Sequence, residues 1–137
     1  MALIAASDIK LARSLIVNDT DANGGRMSKE VVATGVVHAL FPRAGVDERT
    51  TGSVKHRKAF FHNRNAANET AYDFLVFLRD YTQGGDEIVF FAASQTDVQD
   101  DIAGTEDLYG VGQLNADVTA GATEIDVSVH DWDSYPI

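Results

Sequence analysis

Cysteine is absent from the 137 residues, which excludes disulfides, thiolate metal sites and a cysteine nucleophile. Proline occurs only at Pro42 and Pro136. No window approaches the roughly 20 consecutive apolar residues of a membrane-spanning helix, so no membrane role is expected. The apolar start Met1-Ala2-Leu3-Ile4-Ala5-Ala6 has no basic residue before it and is too short for a secretory leader. A chain made for the cytoplasm, or for an assembly built there, is therefore the expectation. Positive charge is short as well, and unevenly so. Residues 1–79 hold all 11 Lys and Arg against 8 acids, whereas residues 80–137 hold 13 acids and no base. The net charge of −10 is thus a +3 stretch followed by a −13 stretch. An acidic total argues against general nucleic-acid binding, which needs a basic surface to displace counterions, although a local basic patch in the first part stays open.

The length is near that of a typical single domain and suffices for a hydrophobic core. No internal repeat or low-complexity tract appears. Leu114, Ala116 and Val118 alternate with Asn115 and Asp117. Beyond Thr119-Ala120-Gly121-Ala122-Thr123, Ile125, Val127 and Val129 alternate with Asp126 and Ser128. Period-two alternation on both sides of a short Gly-containing loop predicts a β-hairpin with one buried face. Residues 56–62, 72–78 and 88–93 each carry consecutive apolar positions, Ala59-Phe60-Phe61 in the first, Phe74–Leu78 in the second and all of the third. Ala71, Phe74, Leu75 and Leu78 fall at helical spacing, but aromatic and Val content favours a strand buried on both faces over 72–78. The Gly84-Gly85-Asp86 turn leading into Glu87-Ile88-Val89-Phe90-Phe91 points the same way. The Asn-rich residues 63–70 read as a loop.

Residues 1–18 read as an N-terminal arm, with Ser7-Asp8-Ile9-Lys10-Leu11 the alternative start of a first strand. Ser28 is placed to cap a short helix over 30–41, where Val32, Val36 and Leu40 share a face and Gly35 weakens the pattern. Residues 94–113 form a long acidic connection, of the kind that is functional or ordered by a partner. Residues 130–137 read as a C-terminal tail. The expected fold is mainly β: a single antiparallel, β-sandwich-like domain with one or two short helices at most and extended termini.

Among candidate sites, Asp19-Thr20-Asp21-Ala22-Asn23-Gly24-Gly25-Arg26-Met27-Ser28-Lys29-Glu30 has the sharpest spacing. Asp19, Asp21 and Asn23 stand at positions one, three and five of a calcium loop, Gly24 at six and Glu30 at twelve. Such a glycine lets the loop fold oxygen ligands around a hard cation, and the last Glu closes the shell. Arg26 stands where such loops carry an apolar residue, and no second loop exists. A polar turn without metal explains the same residues, because turns favour Asp, Asn and Gly. Calcium is therefore the one candidate cofactor, and a calcium-dependent binding module the alternative function.

No catalytic constellation rises above background, so an enzyme is not expected. His56 and His62, on a strand, would lie about 20 Å apart and could not share a metal. His130-Asp131 offers a base, but no nucleophile elbow accompanies it. Gly24-Gly25 and Gly84-Gly85 lack the lysine and helix of a phosphate loop. Asp100-Asp101 and Glu106-Asp107 read as a solvated acidic face.

Arg49, Lys55, Arg57, Lys58 and Arg64, with Arg43 nearby, form a basic cluster in a chain whose second part is acidic. Intramolecular pairing of neighbouring strands is one reading. The other is head-to-tail association, in which this face meets Asp97, Asp100 and Asp101 of the next copy, giving a ring or stacked array. Trp132 and Tyr135 in the tail suit anchoring on a neighbour or folding back on the chain's own core.

Several short motifs carry a resemblance. Gly24-Gly25-Arg26-Met27-Ser28, Glu30-Val31-Val32, Leu40-Phe41-Pro42 and Asp47-Glu48-Arg49-Thr50 are similar to the opening of a family of tailed-bacteriophage virion proteins. Arg57-Lys58-Ala59-Phe60-Phe61-x-Asn63 resembles a strand of the same proteins, as do Gln95-Thr96-Asp97, Leu108-Tyr109-Gly110 and Ala120-Gly121-Ala122-Thr123. The resemblance spans roughly residues 20–125. It implies a structural, non-enzymatic role in the tail, neck or baseplate. Copies of the chain and other virion proteins would be the partners, and the virion, built in the host cytoplasm, the location.

Overall fold

Ile9, Leu11, Ala12, Leu15 and Ile16 place apolar side chains on both faces of an extended segment, a pattern that suits a strand with neighbours on both sides. The computed structural model describes residues 4–78, 86–106, 108 and 112–129. In it, β1 (Ile9–Ile16) is the central strand of a three-stranded antiparallel sheet, between β2 (Gly24–Val31) and β3 (Ala59–Asn63). The arm expected over 1–18 thus contains the strand that organises the sheet.

The β1–β3 ladder is regular, running from Ile9 opposite Asn63 to Arg13 opposite Ala59. The β1–β2 ladder is not. Ala12 faces Val31, Ser14 faces Met27 and Ile16 faces Gly24, so β2 carries extra residues at two register shifts. Bulges of this kind bend the strand and increase its twist. Small side chains fill the centre: Ala12 is 1% exposed, and Ser14, also buried, turns its hydroxyl to the Ile16 carbonyl.

The helix expected over 30–41 is absent, and Ser28 lies inside β2. Its hydroxyl accepts the Glu30 N–H two residues on, a local turn rather than a helix cap. Gly35 and His38 both adopt positive φ, which no helix tolerates. A helix forms later instead, as α1 (Val46–Thr51). The Glu48 carboxylate accepts the Gly45 N–H at 2.7 Å, acids occupy the first turn, and Gly52 at φ 76° ends the helix.

The chain divides into two compact units, one of Met1–Val76 with Ser94–Ala103, the other of Phe77–Ala93 with Gly104–Ile137. The first holds the sheet and α1, together with the four-residue helix α2 (Gln99–Ile102). The second holds a two-stranded antiparallel sheet, β4 (Gly112–Leu114) with β5 (Val127–Val129). The expected C-terminal hairpin is therefore present. Its paired arms are short, however, and Leu114, Val118, Ile125 and Val127 are exposed rather than forming a buried face.

Residues 72–78 form neither strand nor helix, and 88–93 contribute only a bridge residue, Phe90. Asp73 at φ 53° interrupts the extended run, and Leu75 is 82% exposed. The burial expected on both faces of 72–78 is not there. Gly84 and Gly85 of the expected turn lie outside the described residues. The fold is mainly β and antiparallel with short helices, as composition and alternation indicated.

Candidate functional site

The turn between β1 and β2 is built around one amide. Asn23 is 2% exposed, and its side chain is fully employed. Nδ2 donates to the His56 carbonyl at 2.9 Å and to Gln99 Oε1 at 3.4 Å, while Oδ1 accepts the Asn18 N–H at 3.3 Å. Its main-chain N–H closes the turn on the Thr20 carbonyl at 2.9 Å. A buried amide satisfied on both ends fixes its surroundings firmly.

The other candidate calcium ligands are not gathered around it. Asp19 pairs with Arg57 Nη2 at 2.5 Å and with Lys55 Nζ at 3.6 Å. Lys55 also meets Glu48 at 2.5 Å. The Arg57 hydrogen bond holds the Asp19 carboxyl below the usual carboxylate range. Lys55 does the same for Glu48, which in turn raises Lys55. Glu30 sits six residues along β2 from Gly24, about 20 Å at strand rise, on an exposed position. Among the described residues, no group of three His, Asp or Glu is placed to hold a metal ion. The carboxylate of Asp19 is thus engaged with cations some forty residues away in sequence.

Arg57 is an embedded member of the basic cluster, its side chain 5% exposed. Besides Asp19, its guanidinium donates to the carbonyls of Asn18 at 3.0 Å and His56 at 2.6 Å, and it lies over the Phe41 ring at 5.9 Å. This multiple, planar engagement is what an arginine does and a lysine cannot. Intramolecular pairing therefore accounts for Lys55 and Arg57, but the partners are acids of the first stretch, not of the second. Arg49 lies on α1, and Arg64 Nε donates to His62 Nδ1 at 3.5 Å. On β2, Arg26 and Lys29 stand exposed with no ion pair among the described residues.

Lys58 is where the acidic connection meets the sheet. Its ammonium donates to the Asp97 carbonyl at 2.8 Å and lies 5.3 Å from the Phe60 ring centre. Burial lowers its pKa, opposed by the charges of Asp97 and Asp101. Three main-chain hydrogen bonds add to this contact: Gly25 N–H to Asp97 O at 2.8 Å, Gln99 N–H to Asn23 O at 2.8 Å, and Asp100 N–H to Asp21 O at 3.0 Å. Gly24 and Val98 form an antiparallel bridge. Gly24 adopts φ +114°, and a Cβ there would stand 3.0 Å from the Asp97 carbonyl oxygen and 3.3 Å from the Val98 Cα. The chain can approach this closely only because residue 24 has no side chain. The docked segment is itself held in shape by Asp97, whose carboxylate accepts from the Ser94 hydroxyl and the Ser94 N–H, which lowers its pKa.

Part of the long acidic connection is thus ordered by the chain's own sheet, with Asp97, Asp100 and Asp101 all inside the docked stretch. Trp132, Tyr135 and the tail 130–137 lie outside the described residues, as does Asp107.

What the sequence did not signal is the surface around this contact. On the three-stranded sheet and at its end, Leu15 is 69% and Phe61 52% exposed, and Ile16, Val17, Met27 and Val31 are exposed too. Ala12 is the sole buried apolar residue among those described. The register places Val31 and Met27 on the face of Ala12 and Ser14, and Phe61 opposite Leu11 on the other face. Apolar surface is therefore open on both sides of the sheet. No helix among the described residues is long and apolar enough to cross a membrane.

No protein-family model, curated protein or solved structure matches the chain.

Proposed function

We propose that the chain is a non-enzymatic structural subunit of a tailed-phage particle, in its tail, neck or baseplate, and that it works as part of an assembly of its own copies with other virion proteins. The observation that carries this reading is the exposed apolar sheet. A domain of this length ordinarily buries about two-thirds of the surface its unfolded chain exposes. Here the large side chains Leu15, Met27, Val31 and Phe61 remain in contact with solvent, while Ala12 is the one buried apolar residue among those described. Surface of this kind is what neighbouring subunits cover.

The charge polarity of the sequence supports the same reading. Arg26 and Lys29 are available on β2 to an acidic neighbour, so complementary charge can set orientation while apolar contact supplies affinity. The resemblance of the Gly24-Gly25-Arg26-Met27 and Leu40-Phe41-Pro42 motifs to virion proteins names the kind of assembly.

Quantitative mass spectrometry of purified particles from the phage genome that carries this gene tests the proposal. Peptides of the chain at many copies per particle are the expected result. Abundant chain in the lysate with none retained on purified particles would overturn it.

A further inference from the structure

The segment Ser94–Ala103 belongs to the unit that contains the sheet, although the chain on both sides of it, Phe77–Ala93 and Gly104–Ile137, belongs to the other unit. The chain leaves the first unit, returns for ten residues, and leaves again. Those residues act as a guest on the outer edge of β2. The Gly24–Val98 bridge makes them the beginning of a fourth strand, fastened by the Gly25–Asp97, Asn23–Gln99 and Asp21–Asp100 main-chain bonds and by Lys58.

Nothing in that contact depends on which chain supplies the guest. Its fasteners are main-chain groups, the Lys58 ammonium and two side-chain amides, and an identical segment from another copy would meet them equally well. The geometry points to exchange of this segment between copies: Ser94–Ala103 of one copy docks on the β2 edge of the next, in the place the chain's own segment occupies here. The inference rests on the self-assembly reading above and names its contact. An isolated chain closes on itself because its own segment is tethered at high effective concentration. Within an assembly, neighbouring segments compete on similar terms, and swapping an identical element costs little.

Donor and acceptor are different surfaces, so each copy gives one segment and receives one. That is a head-to-tail contact, which propagates into a ring or a stacked array. The guest carries Asp97, Asp100 and Asp101 with no base, and the host presents Lys58 to it. The exchange also brings neighbouring copies to the open apolar sheet around Met27 and Val31.

Because the chain has no cysteine, cross-linking can be directed without background. Asp21→Cys and Asp100→Cys place thiols on the host turn and on the guest, at residues already joined through their main chains. The two single variants, mixed at high concentration and oxidised, should give a disulfide dimer at least tenfold more abundant than either variant alone gives. The double variant should give a ladder of covalent multimers. A double variant that closes entirely into cross-linked monomer, with no excess dimer from the mixed singles, would overturn the exchange, and so would the absence of any cross-link. If light scattering still shows oligomers in that case, the subunit reading survives and only this contact is wrong.

Discussion

Replacing Asn23 by Ala should loosen the turn whose Asp21 and Asn23 carbonyls receive the acidic segment, and so weaken the docking of that segment, while leaving the sheet intact. Asn23 is 2% exposed and makes three side-chain hydrogen bonds. The contact with Gln99 is long, at 3.4 Å, and is given little weight. The His56 carbonyl keeps Arg57 as a donor at 2.6 Å after truncation, so it is not left unsatisfied. The loss is then two hydrogen bonds at roughly 1 kcal/mol each, or about 2 kcal/mol. That corresponds to roughly a 30-fold change in an opening equilibrium. Hydrogen exchange reads it residue by residue. The amides of Gly25, Gln99 and Asp100, which donate across the docking contact, should exchange about 30-fold faster. Amides of the β1–β3 ladder between Ile9 and Arg13 should change little, since their partners lie on the other edge. An acceleration below about threefold at the docking amides would refute the role given to Asn23. Uniform acceleration through both ladders would show that the amide supports the whole sheet instead.

Gly24→Ala should cost about 1–2 kcal/mol for the positive φ and more for the clash with Asp97, whereas Gly25→Ala, whose added carbon meets open space, should cost only the former. The difference between their urea midpoints isolates the close approach. Acid should weaken the fold through Asp19 and Glu48. Their folded pKa values are lowered, so the stability they add is present above their unfolded values near 4 and is lost as pH falls through the folded ones. Lys55 has the opposite sign: its contribution is complete below about pH 10 and fades as pH rises through its raised value. Thermal midpoints scanned by pH should therefore form a plateau, and Asp19→Asn should flatten its acid limb. Self-association should weaken between low salt and 0.5 M salt if charge orients the contact, because screening shortens as the Debye length falls below about 10 Å. Sedimentation at the two ionic strengths measures it.

The strands were legible where side-chain alternation and β-propensity agree with pairing. β3 falls within 56–62 apart from its last residue and holds that stretch's apolar Ala59-Phe60-Phe61, and β4 and β5 lie at the arms of the expected hairpin. β2 was not legible, since Gly-Gly-Arg-Met-Ser-Lys-Glu-Val has little strand propensity and pairs only through bulges. The apolar run 72–78 misled for the opposite reason: strong local preference does not ensure burial once Asp73 turns the chain. The oxygen spacing of residues 19–30 was visible, but it is common to turns and calcium loops. What distinguishes the outcome here is the arrival of Lys55 and Arg57 at Asp19 and of the His56 carbonyl at Asn23. The docking of Ser94–Ala103 is made largely by the main chain, which leaves no residue pattern to read.

Other copies of the chain cover the open apolar sheet if the chain is a subunit of an assembly. Multi-angle light scattering of the purified protein over a hundredfold range of concentration at low salt asks this directly. The mass should climb above the 14.8 kDa monomer to a multiple of it as concentration rises. A constant 14.8 kDa at every concentration would contradict self-assembly.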